Sequence, residues 1–108
     1  MKRTSFYLLL ILLVYTSCHK SVAEGKPVAS FSWTPSTLTA PVTVTFRSNS
    51  INAKEFNWDF GDGNSSTLEN PTNRYTTAGT YQVNLTVRNP SAPQNIQYAT
   101  STLSLTVR

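Results

Sequence analysis

Cysteine and histidine are almost missing from this chain: it has one of each, Cys18 and His19, adjacent and close to the N-terminus. A single cysteine excludes an internal disulfide framework and a cysteine-rich zinc site. A single histidine, lying outside any patterned segment, leaves no Ser-His-Asp set and almost no material for a histidine-based metal centre. Charge is scarce as well, at 13% of 108 residues, and no window carries the apolar stripe of an amphipathic helix. The main uninterrupted apolar run, Phe6 to Tyr15, is ten residues long. At about 1.5 Å per residue it would cover roughly half of a hydrocarbon core of about 30 Å, so a spanning helix is not expected. The length holds one ordinary domain and excludes a multidomain enzyme.

The formal charge of +4 and the pI near 9.5 suggest a nucleic-acid binder until the charges are placed. Lys2 and Arg3 sit at the head of the apolar run. Residues 18–108 hold seven basic against five acidic side chains, and residues 28–108 hold five against four. Arg47, Lys54, Arg74, Arg88 and Arg108 are scattered singly. Without a basic stripe there is no electrostatic footprint for phosphates, and no nucleic-acid partner is expected.

A short positive head followed by a ten-residue apolar run has the form of a secretory signal. Thr16 and Ser17 then lead directly into Cys18, and this arrangement resembles the lipobox of bacterial lipoproteins, with Tyr15 where Leu or Val is usual. The resemblance implies cleavage before Cys18, diacylation of its thiol and a third acyl chain on its amine. Ordinary signal cleavage with a free Cys18 is the alternative. Stable anchoring needs at least two chains, each buried methylene contributing about 0.8 kcal/mol, so a triacylated Cys18 would hold the protein on a membrane. The sorting rule of many Gram-negative lipoproteins uses Asp after the cysteine to retain a protein on the inner membrane. His19 stands there instead, which points to the outer membrane and leaves its face unassigned. The expected organisation is a signal peptide over 1–17, a lipidated polar tether over 18–27 and one domain over 28–108.

Beyond the tether, period-two alternation takes over. Ala29, Phe31 and Trp33 share one face; Val42, Val44 and Phe46 another; then Phe56, Trp58 and Phe60; Tyr81, Val83, Leu85 and Val87; and Ala99, Ser101, Leu103, Leu105 and Val107. Threonine, serine, asparagine and other polar residues fill the alternate places, and Pro35, Pro41, Gly61, Gly63, Pro71, Gly79, Pro90 and Pro93 punctuate the runs. Half-buried strands separated by turns predict an all-β, antiparallel, immunoglobulin-like sandwich of about seven strands. Trp58, between Phe56 and Phe60 on one face, is its natural centre.

The run Phe56-Asn57-Trp58-Asp59-Phe60-Gly61-Asp62-Gly63 resembles the signature of PKD domains, the polycystic kidney disease repeats. Asn70-Pro71, Tyr75, Gly79, the strand Tyr81-x-Val83-x-Leu85-x-Val87 and the upstream runs agree, so the resemblance covers about 28–108. Asn73 stands where the family often has His, a difference that bears on the surroundings of Tyr75 and leaves the fold expectation intact. The resemblance implies a fold and a non-catalytic module; it specifies no activity.

Candidate site residues follow. Gly61 and Gly63 suit positive φ in a tight turn, and Asp62 between them suits an Asx turn. Asp59 and Asp62 with Asn64 also invite calcium, which takes several oxygen ligands, and some PKD-like domains of secreted proteases bind it. Turn-stabilising carboxylates are the favoured role here, and no cofactor other than the lipid is expected. A paired-carboxylate hydrolase lacks a cleft beside that turn, and Gly61-x-Gly63 lacks the following helix of a phosphate cradle. For ligand stacking the candidates are Tyr98, opposite Ala99 and so outward, and Trp33, whose phase favours the core edge. The proline-rich loop from Asn89 to Asn95 is long for a hairpin and pre-organised.

Ser, Thr, Asn and Gln make up 36 of the 81 residues from 28 to 108, a surface suited to proteins or glycans rather than phosphates. The leading expectation is a protein-binding or adhesion module, an accessory subunit of an envelope complex. The alternatives are direct polysaccharide binding through Tyr98 and its polar neighbours, and a structural spacer whose exposed strand edges pair with copies of itself.

Overall fold

The computed structural model describes residues 25–108. The expected signal segment, Cys18 and the expected tether as far as residue 24 lie outside the described residues.

The folded body is an all-β sandwich of two antiparallel sheets. One sheet has the order β1-β2-β5, built from Phe31–Thr34, Val42–Ser48 and Thr72–Tyr75. The other has the order β4-β3-β6-β7, from Ser65–Ser66, Glu55–Asp59, Gly79–Arg88 and Tyr98–Val107. Together these make seven strands, the number expected for the immunoglobulin-like sandwich. A short 3₁₀ turn at Gln94–Ile96 is the one helical element among the described residues.

Alternation dictates which side chains meet between the sheets. Val44, Phe46 and Tyr75 come from the three-stranded sheet, and Trp58, Val83, Leu85, Val87, Leu105 and Val107 from the four-stranded one, all of them buried. Trp58 sits at the centre as predicted, with ring centroids 5.0 Å from Phe31, 5.4 Å from Phe46 and 6.1 Å from Phe60. Its indole N–H would be an orphan donor in this setting. It donates instead to the carbonyl of Leu68, at 2.8 Å, which ties the segment after β4 to the core.

Two details differ from the sequence-based expectation. The polar composition of residues 25–27 predicts tether, yet Gly25 and Pro27 are buried. The Gly25 carbonyl accepts from Asn89 Nδ2 (2.9 Å) and the Lys26 carbonyl from Asn52 Nδ2 (3.1 Å). Packing and hydrogen bonds, which composition does not reveal, make this stretch part of the body. Leu103 has inward parity but is 39% exposed. It lies on β7, the edge strand of the wider sheet, where the three-stranded sheet opposite gives less cover.

Strands β6 and β7 form a hairpin in unbroken register from Gly79↔Val107 to Arg88↔Tyr98. The connection between them is tied internally. Asn89 N–H donates to the Gln97 carbonyl (2.9 Å), and Gln97 Nε2 donates to the carbonyls of Pro90 (3.2 Å) and Ala92 (3.0 Å). Asn89 is buried, its Oδ1 accepting from Ser91 N–H (3.0 Å).

Candidate functional site

The outward-facing residues of β3, β6 and β7 are set by register into rows across the sheet. Glu55, Arg88 and Tyr98 make the first row; Asn57, Thr86 and Thr100 the second; Asp59, Asn84 and Thr102 the third. Gln82 with Ser104 and Thr80 with Thr106 continue the series along the hairpin.

Each row is cross-linked. Arg88 Nη1 donates to Glu55 Oε1 at 3.0 Å, and its Nε and Nη2 donate to Gln97 Oε1 at 3.3 and 3.2 Å. The hydrogen bond to Glu55 is the leading reason that the guanidinium pKa is raised beyond its ordinary value. Held this way, the guanidinium lies 5.5 Å from the centroid of the Tyr98 ring, within cation–π range. Tyr98 is 63% exposed, so a fixed cation steadies a ring that stays open to solvent. In the rows beyond, Thr86 and Thr100 hydroxyls bond at 3.1 Å, and Thr102 Oγ1 donates to Asn84 Oδ1 at 2.5 Å.

Two shallow depressions lie on this face and share Asn57 and Thr86. The first, about 540 Å³, is bounded by Lys54, Glu55, Arg88, Thr67 and Tyr98. The second, about 460 Å³, adds Asp59, Ser65, Asn84 and Thr100. Together they form a trough in which Tyr98 and Phe56 line one end, Trp58 borders the other, and Asn and Thr side chains lie between them.

Apart from the strand β3 residues that border the trough, the signature residues mostly serve the turn that follows β3. Asp59 Oδ1 accepts from Gly61 N–H (3.0 Å). Asp62 Oδ1 accepts from Asn64 N–H (3.1 Å), and its Oδ2 from the side-chain amides of Asn64 (3.1 Å) and Asn73 (2.9 Å). Asn73, at the position where PKD domains often have His, is thus a donor to Asp62 and is buried. Among the described residues, no three acidic, histidine or cysteine side chains gather in one place. Gly61 and Gly63 both take positive φ, +80° and +94°. Phe60 is buried, and its carbonyl accepts from the Tyr75 hydroxyl at 2.9 Å. Burial is the main cause that pushes the Tyr75 pKa up to about 12. Gly79 opens β6. Tyr81 packs on Tyr75, with ring centroids 4.6 Å apart, and donates to the Thr77 carbonyl at 2.6 Å.

The two stacking candidates are not brought together. Trp33 is half-buried against Phe31 and Phe46, at 6.2 and 6.3 Å, on the three-stranded sheet. Tyr98 lies on the outer face of the other sheet, and its partners Arg88, Glu55 and Gln97 were not singled out from sequence. Parity alone puts Glu55 and Arg88 outward. Their meeting depends on a β3–β6 register 33 residues apart in the chain.

The sequence model described as the PKD domain matches residues 24–107. Among solved structures, the PKD1 domain of the Vibrio cholerae metalloprotease PrtV is 33% identical with a TM-score of 0.61, over 75% of this chain and 95% of that one. The PKD1 domain of Vibrio anguillarum Epp is 30% identical with a TM-score of 0.62, over 76% and 93%. A structure from work on the promiscuous specificity of carbohydrate-binding modules of the β-sandwich superfamily is 30% identical with a TM-score of 0.66. That match covers 75% of this chain but 34% of the other, so this chain corresponds to about a third of it.

Proposed function

The chain belongs to the PKD domain family, and from that premise we propose that it is a non-catalytic module that binds a neutral polysaccharide along the outer face of its four-stranded sheet. The observation that carries this is the first row: a Tyr98 ring 63% exposed, steadied by an Arg88 that Glu55 and Gln97 hold in place. A sugar ring offers a patch of C–H groups that packs on an aromatic face, while its hydroxyls take amide and hydroxyl partners. Asn57, Thr86, Asn84 and Thr100 supply those partners along the trough. The fixed ion pair reduces the ordering cost of binding, because its side chains are already in place. One structural neighbour, of which this chain matches 34%, comes from work on carbohydrate-binding modules, and this supports the ligand class.

The envelope-protein partner, placed first from composition, takes second place on this geometry. Protein interfaces use a buried apolar or aromatic centre. Of the exposed large hydrophobics among the described residues, Tyr98 alone borders the trough, and Val28, Ile51, Leu68 and Leu103 lie outside it.

Affinity electrophoresis through gels containing neutral glucan, mannan or xylan tests the proposal. At least one polymer should retard the protein, and Tyr98→Ala should abolish the retardation while the melting temperature holds. No retardation by any of them, or retardation that survives Tyr98→Ala, overturns it.

The proposal also places the module on the bacterial outer membrane through a lipid on Cys18, supported by the lipobox-like segment before it. Metabolic labelling with an alkyne fatty acid should mark the wild type and not Cys18→Ser; an unlabelled wild type overturns the anchor without touching the glycan assignment.

A further inference from the structure

The edge of β7 is open, and its parity can be worked out. Asn89 and Gln97 are joined through N–H and carbonyl at the start of the hairpin ladder. Alternation from that pair turns the backbone groups of residues 99, 101, 103, 105 and 107 toward β6. Those of Thr100, Thr102, Ser104 and Thr106 therefore point away from it. Arg108, next in the outward set, agrees: its N–H donates to the Leu38 carbonyl (2.9 Å) and its carbonyl accepts from Ala40 N–H (2.8 Å). The chain around Leu38 and Ala40 thus covers the end of the edge, and the stretch from Thr100 to Thr106 remains free among the described residues.

We propose that this edge pairs antiparallel with the same edge of a second copy of the chain, centred on Leu103. Proteins protect exposed edges with charge, proline, bulges or short strands. The edge strands β1 and β5 have four residues each, β5 with Arg74, and β4 has two. Strand β7 has ten, from Tyr98 to Val107, with no charge, proline or glycine, and it runs against β6 without a bulge. Two copies of an uncharged edge meet no like-charge penalty.

The register also explains Leu103, the 39% exposed leucine. Centring the pair there sets Leu103 opposite Leu103 of the second copy at a non-hydrogen-bonded site, where cross-strand Cα atoms are about 4.5 Å apart and side chains closest. Each leucine then covers the other. Thr100 pairs with Thr106 of the second copy and Thr102 with Ser104, and the two-fold axis repeats both pairs. The free stretch is symmetric about Leu103, so every outward backbone group from Thr100 to Thr106 finds a partner. The two outer faces become one continuous eight-stranded surface, built from the four strands of each copy.

The test is disulfide trapping of the full-length chain in membranes. Leu103→Cys, mildly oxidised, should give a dimer of the chain on a non-reducing gel, above the background that the wild type with Cys18 sets. Ser104→Pro added to Leu103→Cys should lower the yield at least tenfold. The Ser104 N–H points away from β6, so proline there removes no hairpin bond, and proline is tolerated at such edge positions. Retained protease resistance of the double variant shows that it folds; Ser104→Lys serves the same purpose if it does not. No dimer, a dimer unaffected by both edge variants, or a cross-link to a different protein overturns the proposal. Since Leu103 lies outside the trough, glycan retardation can persist or fail independently of this result.

Discussion

Gly61 and Gly63 share positive φ, but their surroundings differ. A Cβ on Gly61 would lie 2.6 Å from the Gln82 carbonyl oxygen, whereas a Cβ on Gly63 would meet open space. Left-handed backbone alone costs an L-residue about 1–2 kcal/mol. Gly63→Ala should therefore lose about that much, and Gly61→Ala clearly more, since backbone of β6 must shift as well. Urea denaturation with an unchanged m-value measures both; equal losses would show that the Gln82 contact does not matter. Tyr75 gives a second prediction, in pH. Its hydroxyl is buried and donates to the Phe60 carbonyl, and its pKa is raised from 10.0 to about 12. The folded state therefore holds this proton more tightly than the unfolded chain. The stabilisation is complete below about pH 10 and is lost as pH rises toward 12. Thermal melts from pH 8 upward should show that loss in the wild type and less of it in Tyr75→Phe. At neutral pH, Tyr75→Phe should itself cost about 1–3 kcal/mol for the carbonyl left without its donor.

At the scale of elements, the β6–β7 connection is a clamp. Asn89 Nδ2 holds the Gly25 carbonyl, and Val28 then bridges to Ile51 through two backbone bonds of 3.0 and 2.9 Å. Asn89→Ala should speed amide exchange at Val28 and Ser91 while Val83 and Leu85 stay protected, with a global loss of about 1–3 kcal/mol. Equal acceleration everywhere would mean that the clamp is not a local device. This contact also shows where sequence reading stops. The five alternating runs were legible because one face of each meets the core, and parity alone put Trp58 inward and Tyr98 outward. Strand β4, Ser65–Ser66, is too short to show a period, and β5, Thr72–Tyr75, buries Asn73 where an apolar residue would have advertised a strand. The docking of residues 25–27 depends on an asparagine 64 positions away, and the support of Tyr98 on a register between distant strands. Neither leaves a local pattern.

At the scale of the whole molecule, the clamp and the trough occupy the same end of the sandwich. Arg88, which steadies Tyr98, immediately precedes Asn89, which holds Gly25. Seven peptide steps separate Cys18 from Gly25. At about 3.5 Å each they reach roughly 24 Å at full extension. With the proposed lipid on Cys18, the aromatic end of the trough would therefore stay within about that distance of the membrane surface, plus the span from Gly25 through Asn89 and Arg88 to Tyr98. On the proposed function, a polymer threading the trough would be held close to the bilayer, and the short leash rather than the site would exclude thick or cross-linked polysaccharide. Inserting about 20 Gly/Ser residues after Lys20 lengthens the leash without touching the trough, since such linkers behave as flexible coils. Liposomes carrying the lipidated long-leash variant should capture more particulate polysaccharide than liposomes carrying the lipidated wild type. The solubilised proteins should be retarded equally in affinity gels. Equal capture by both liposomes would show that the leash does not set access, and unequal retardation in the gel would show that the tether takes part in the site itself.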